Sequence, residues 1–408
     1  MKLRRRKFSE YYDLHMIAVI VLLICFGLVM LYSTTAYVAS IEGDDMSYLK
    51  RQSLFAVASL VFALVISLFD YHLLLRLPKW FPRIIRKHLP LPLLFYFFTA
   101  GLLALVPVLG TEVNGAKRWY RFAGIQFQPS ELAKIAVILV LAYYIVKMGK
   151  QIVRWQNCLK LLALGGAQSF LTLVCTSNLS TAVIIFGITL ALIFVAHPKT
   201  APFVIGAVIA VVVGGIALYV LINTVEHSTS FRIQRILVWL HPEDFASGDG
   251  YQILQALYAI GSGGFFGKGL GNGTQKLGFV PEAQNDMIFS IICEELGIFG
   301  AIVLILLFVY LLYRLAFIAR NAPDLYGSLL VIGIFVHIAL QVILNISVVT
   351  KVVPTTGITL PFISYGGTAL IMLMGEMGIA LSVSRRITFS DQKKRRTDES
   401  IPIDETVY

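Results

Sequence analysis

Charge is what this sequence has least of. Asp, Glu, Lys and Arg make up 14% of its 408 residues, against about 25% in a soluble domain, which excludes an ordinary water-soluble globule. Cysteine is scarce as well. Cys25, Cys158, Cys175 and Cys293 form no C-x-x-C pair, so each reads as a small packing residue rather than part of a disulfide or zinc framework. Zinc-type spacing and serine or cysteine nucleophile signatures are missing. The net charge of +11 lies in short basic clusters between apolar runs, with no basic domain carrying interleaved aromatics. That pattern marks cytoplasmic loops of a membrane protein and excludes nucleic acid as a partner.

What fills the chain is long apolar runs, with 57% of residues hydrophobic. Runs of about 18 or more apolar residues predict membrane-spanning helices. Ten are expected, at 14–34, 52–69, 91–109, 131–147, 158–175, 180–196, 202–222, 286–312, 327–350 and 365–384. The first is too long for the ~7–15-residue core of a signal peptide and is read as a retained helix. With the N-terminus in the cytoplasm, the cytoplasmic segments hold 23 of the 34 Lys and Arg. This bias predicts that both termini lie inside. The fold class is therefore all-α and polytopic. A basic N-terminus occupies 1–13, a ten-helix membrane domain 14–384, and a charged tail 385–408. Lys393, Lys394, Arg395 and Arg396 in that tail suit anionic lipid head groups.

One long outer loop, about 223–285, separates the seventh and eighth spans. Phe231, Ile233, Ile236, Leu237 and Leu240 against Arg232, Gln234 and Arg235 predict an amphipathic helix, placed on the membrane interface or on the bundle. A second helix is expected over 251–260. The glycine-dense run 261–273 is no phosphate-binding P-loop, because Gly269 follows Lys268 where Ser or Thr is needed. It reads as a tight loop whose backbone approaches something closely, either a structural neighbour or a ligand.

Ionisable residues inside spans default to functional candidates. Glu131 and Lys134 share a face of the fourth helix at i and i+3. Asp286 opens the eighth, with Ser290, Glu294 and Gly297 expected on the same face. Both helices begin outside, so Glu131, Lys134 and Asp286 are expected at similar depth. Outer cations at Arg51, Lys117, Arg118, Arg121 and Lys351, with Trp119, suit an anionic amphiphile such as a lipid pyrophosphate. A purely structural Glu131–Lys134 pair is the competing reading. On the ninth helix His337, Gln341 and Asn345 recur at four-residue steps, a stripe suited to interhelical hydrogen bonding. Glu376 on the tenth is similar and nearer the cytoplasm.

Seven stretches resemble the SEDS family (shape, elongation, division and sporulation proteins of the FtsW and RodA type). They are Asn114-Gly-Ala-Lys-Arg-Trp-Tyr120, Phe127-Gln-Pro-Ser-Glu-Leu-Ala-Lys134, Gly250-Tyr-Gln252, the run 261–273, Pro281-Glu-Ala-Gln-Asn-Asp286, Glu294-Glu-Leu-Gly297 and Pro361-Phe-Ile-Ser-Tyr-Gly-Gly367. The resemblance implies ten spans, polymerisation of lipid II into glycan strands, and a class B penicillin-binding protein as partner. It maps the family's essential carboxylate onto Asp286, its loop tryptophan onto Trp119, and cavity residues onto Glu131, Lys134 and Arg51. Residues 275–283 resemble the FtsW branch more than the RodA branch.

The chain departs from the pattern at Gln284 and Asn285, where the family commonly has His-Thr. It departs again at Asn178-Leu179-Ser180, where Asp-Leu-Gly is usual, and at Thr368-Ala369, where two serines are usual. An inverting transfer is implied, with Asp286 as general base and Arg51, Lys134 and Lys351 stabilising the leaving pyrophosphate. No ligand cluster demands a metal, although a divalent cation (Mg or Mn) is compatible. A flippase for lipid-linked precursor, or a non-catalytic scaffold for the penicillin-binding protein, are the rival functions.

Overall fold

The ten apolar stretches become helices in the computed structural model, which describes residues 11–42, 46–75, 90–113, 116–122, 124–224, 231–248 and 250–388. The spans are α1 (Leu14–Glu42), α2 (Ser47–Leu68), α3 (Leu91–Leu109), α4 (Pro129–Met148), α5 (Trp155–Thr176), α6 (Leu179–Ala196) and α7 (Ala201–Thr224). After the short loop helices α8 (Phe231–Leu240) and α9 (Tyr251–Gly263) come α10 (Ile288–Asn321), α11 (Leu325–Val349) and α12 (Gly367–Ser384). Among the described residues, nine helices are long and apolar enough to cross a membrane, and α7 continues the pattern as a tenth. The expected charged ends fall largely on 1–10 and 389–408, outside the described residues.

Local signals start these helices where the sequence says. Pro129 sits in the first turn of α4, where a missing N–H costs nothing. Asn178 caps α6 by accepting from the Thr181 amide at 3.1 Å, and Asp324 caps α11 by accepting from Gly327 at 2.8 Å. The bundle exposes apolar side chains such as Val204, Ile205, Val208 and Leu306, which only a lipid environment tolerates in such numbers. Small residues let helices approach: a Cβ on Gly378 of α12 would lie 2.7 Å from the Ala63 carbonyl of α2.

Polar contacts sort the helix ends into two faces. At one, Arg314 near the C-terminal end of α10 reaches back to Asp13 at 2.7 Å and to the Tyr11 hydroxyl at 2.9 Å. Arg385 donates to the Ser67 carbonyl there, and Arg386 pairs with Asp70. At the other, Gln52 accepts from Gly366, Ser180 donates to Thr356, and Asn345 donates to the Asp286 carbonyl. The grouping matches the alternation expected from the Lys and Arg bias, with the first face cytoplasmic.

Two features of the fold were not expected. The second outer loop is an antiparallel sheet, β1 (Thr111–Val113), β2 (Ala116–Phe122) and β3 (Ile125–Phe127), in which Thr111 faces Trp119 and Tyr120 faces Phe127. The eighth span runs to Asn321 rather than 312 and is broken at Gly297, whose φ of 67° and ψ of −167° are not helical. At 1.5 Å per residue the unbroken helix would measure about 51 Å, well beyond a ~30 Å hydrocarbon core. The break leaves Ile298 onward to cross.

The glycine-dense run explains that break. The amides of Lys268 and Gly269 donate to the Glu294 and Glu295 carbonyls at 3.0 and 2.9 Å, while Ile298 and Phe299 donate to Gly264 and Phe265 at 3.0 Å each. Contact is backbone to backbone, and a Cβ on Gly267 would sit 2.1 Å from the Glu295 oxygen. Of the two readings of this loop, the structural one holds.

Candidate active site

Asp286 stands two residues before α10 rather than on its first turn, so the expected common face with Ser290, Glu294 and Gly297 does not form. Glu294 and Glu295 are fully buried and belong to the glycine loop instead. Glu294 pairs with Lys268 at 2.7 Å, and Glu295 with Lys276 at 2.6 Å and with the Ser33 hydroxyl. Neither carboxylate is left free for chemistry.

The Asp286 side chain is half-buried, and its Oδ1 is enclosed without a hydrogen-bond partner. An enclosed carboxylate oxygen without a donor is costly to ionise. Burial accordingly pushes the Asp286 carboxyl up to about 7; its own backbone pulls it down, the Glu282 charge adds to the rise, and the Arg235 guanidinium opposes it. The backbone around it is fixed from three sides. Asn345 donates to the carbonyls of Asp286 at 2.8 Å and Ile358 at 2.7 Å. Ser364 donates to the Asn285 carbonyl at 2.5 Å, and Tyr365 to Gln284 at 2.9 Å.

Glu131 and Lys134 form the expected ion pair, 2.9 Å apart, with Lys134 2% exposed and Glu131 16% exposed along their side chains. Lys134 also donates to Gln341 Oε1 at 3.1 Å. Gln341 and Asn345 are one turn apart on α11, so this pair lies about 6 Å deeper than Asp286 by helix rise. Similar depth was expected; a one-turn offset is found. Glu131 and Gln341 open into a cavity lined also by Thr359, Ser364, Tyr365 and Gly366. The polar stripe of α11 thus ties the Asp286 backbone to the buried Lys134, the interhelical bonding its spacing suggested.

The remaining candidates sit at the rim. Arg51 is exposed on α2, beside Tyr48, whose ring meets Tyr365 at 5.4 Å, and Gln52, which accepts from Gly366. Trp119 is half-buried on β2. Lys351 is half-buried with a left-handed φ of 59°, and its carbonyl accepts from Trp239 at 3.0 Å. A non-glycine residue held there marks a constrained segment. Arg118 donates to the Thr176 and Ser177 carbonyls at 3.3 Å each, at the negative end of α5. Burial, with repulsion from Arg235, lowers its pKa.

Arg235 is the site residue that sequence reading passed over. It sat on the polar face of the amphipathic α8, and in the structure it donates to the Thr355 carbonyl at 3.3 Å and senses Asp286. Val238 is buried, so α8 packs on the bundle. Among the described residues no three His, Cys, Asp or Glu side chains converge as a metal site.

A helical bundle that crosses the membrane about ten times, with an acidic group of raised pKa at an outer mouth and a buried cation beneath it, defines a membrane-embedded transferase or carrier of amphiphiles. The FtsW/RodA/SpoVE family model, described as cell cycle protein, matches residues 13–388, and the chain belongs to this family, the SEDS proteins. Stage V sporulation protein E of Bacillus subtilis is 40% identical over 375 residues, covering 91% of this chain and 97% of that one. The probable peptidoglycan glycosyltransferase FtsW of Trichlorobacter lovleyi is 38% identical over 381 residues, covering 91% and 93%. A chain of a peptidoglycan synthase complex that coordinates polymerization and crosslinking superposes with a TM-score of 0.72 at 26% identity, over 92% of this chain and 98% of that one. The relatives' names agree with the FtsW side of the family, and the protein is a multi-pass component of the bacterial cytoplasmic membrane.

Proposed function

We propose that this protein is a peptidoglycan glycosyltransferase that joins lipid II units into glycan strands on the outer face of the cytoplasmic membrane, with a class B penicillin-binding protein as partner. The observation that carries the reading is Asp286, whose enclosed, unpartnered oxygen and pKa of about 7 suit a group that must both take and release a proton near neutrality. The acceptor's 4-hydroxyl oxygen attacks the donor anomeric carbon from the face opposite the leaving group. As that bond forms, its proton passes to Asp286, and the anomeric C–O bond breaks to release undecaprenyl pyrophosphate with inversion. Arg51, Lys134 and Lys351 supply positive charge to the departing pyrophosphate. Trp119 offers an apolar face to a sugar ring. Glu131 pairs with Lys134 at 2.9 Å and holds its ammonium in place.

The carboxylates nearest the mouth, Asp286 and Glu282, are too few for a closed metal site. They fit only a divalent cation that arrives with the substrate's phosphates. The charged ends at 1–13 and 385–408 complete the reading as cytoplasmic contacts for anionic lipid. A flippase needs no base at the mouth and is better served by groups near the midplane; a scaffold needs neither base nor buried cation. Purified protein with its partner, given lipid II in detergent where flipping has no meaning, separates the three. Glycan strands are expected, and their absence with partner bound refutes the reading.

A further inference from the structure

Below Lys134 the polar stripe of α11 continues to a pair that the chemistry at the mouth does not use. Gln341 makes three contacts: its Oε1 accepts from Lys134 at 3.1 Å and lies 2.9 Å from His337 Nε2, while its Nε2 donates to the Thr359 carbonyl at 3.0 Å. An ammonium only donates and a peptide carbonyl only accepts, so these two partners fix which way the Gln341 amide points. Its oxygen then faces His337 and cannot donate, so His337 Nε2 must carry the hydrogen. On the other side of the ring, His337 Nδ1 lies 2.7 Å from Glu376 Oε2, and both side chains are 2% exposed. Either Nδ1 donates to a carboxylate or a carboxylic acid donates to Nδ1. In both arrangements the pair has no net charge and Nε2 keeps its hydrogen.

We propose that His337 and Glu376 are positioning residues for Lys134. The pair locks the imidazole with hydrogen on Nε2, that hydrogen holds the Gln341 oxygen, and the oxygen holds the Lys134 ammonium against Glu131 beneath the mouth. Stability alone does not explain the pair, since well-packed apolar replacements of buried ionic pairs are often neutral or stabilising. The chain of contacts joins α12, α11 and α4 and ends on a buried cation whose partners Glu131 and Gln341 line the cavity. In its kinetic consequence the proposal rests on the glycosyltransferase reading; in its hydrogen placement it does not.

The test therefore has two arms on the full-length protein. In the first, histidine is labelled with 15N and the His337 signal is assigned by difference with His337→Gln; Nε2 should be protonated. A His337 ring with hydrogen on Nδ1 alone overturns the proposal, whatever the activity. In the second, polymerisation is measured with the partner bound, alongside thermal midpoint. His337→Leu should lower kcat by at least about tenfold with KM little changed, within the ~100-fold scale of a misplaced catalytic group. His337→Gln keeps an N–H at the Nε2 position, and Glu376→Gln gives Nδ1 an amide donor; both should stay within about threefold of wild type. A folded His337→Leu at the wild-type rate, or a His337→Gln as slow as leucine, contradicts the proposal. If His337→Leu fails to fold, Glu376→Gln and the nitrogen spectrum decide. A wild-type protein that folds and makes no glycan defeats the glycosyltransferase reading and leaves the spectrum to judge the pair.

Discussion

Raising pH through neutrality is expected to switch polymerisation on, because a general base works only as the carboxylate. With the Asp286 pKa at about 7, roughly a tenth of the enzyme carries the ionised base at pH 6 and roughly nine tenths at pH 8. The single-turnover rate with saturating lipid II should therefore climb about tenfold between them. An ordinary aspartate near 3.8 would give a flat profile over that range. Glu282→Gln removes a charge that raises Asp286 while keeping an oxygen to accept from Asn285, so the midpoint should fall; Arg235→Gln should raise it. The same pKa has a stability signature of defined sign. Between about pH 4 and pH 7 the folded state holds a proton the unfolded chain has lost, so stability falls as pH rises, by about 4 kcal/mol at most above pH 7. Asp286→Asn should consequently melt higher than wild type at pH 8, with the gain shrinking toward pH 4. A rate profile without a step between pH 6 and 8, in protein that stays folded, refutes the reasoning.

Three further outcomes follow from buried contacts. Lys134→Ala strands Glu131, and because Glu131 keeps some exposure the loss of stability should sit at the low end of the ~3–5 kcal/mol range for a broken buried pair. Glu131→Gln with Lys134→Met should melt closer to wild type than either single variant yet polymerise poorly, and full activity in that double variant would make the pair structural only. Gly267→Ala forces a Cβ to within 2.1 Å of the Glu295 carbonyl at a φ of 79°. It should lower the thermal midpoint by an amount equivalent to about 2 kcal/mol or more, with proteolysis of the loop as the second readout.

Most of the architecture was legible because a membrane leaves few solutions. Apolar runs of span length become helices, and Lys and Arg bias orders their ends. The expected bounds of α3 and α6 agree with the structure to within a residue. What escaped depends on partners distant in sequence. A single Gly297 in an apolar run gives no sign that the helix breaks; the sign is Gly267 docking its backbone there. Glu294 was expected on one face with Asp286, and only the structure shows it held by Lys268, 26 residues earlier. Short strands around Trp119 have too little alternation to read. Glu376 was visible as a buried acid, but only packing of α12 on α11 reveals His337 as its partner. Asp286, Glu131 and Lys134 were found because charge in lipid is conspicuous; Arg235 was hidden on the polar face of a loop helix, where arginine is ordinary.

Asp286→Asn tests the general-base role of Asp286 most directly. Asparagine is nearly isosteric, so the mouth, the Asn345 bonds to the backbone and the partner interface should persist, while the amide is a negligible base. Loss of a general base typically costs ~10²–10⁴-fold. Purified Asp286→Asn, folded and bound to its penicillin-binding partner, should turn over lipid II near background, with Asp286→Glu slow yet measurably above it. Glycan strands made by Asp286→Asn at the wild-type rate would contradict the mechanism.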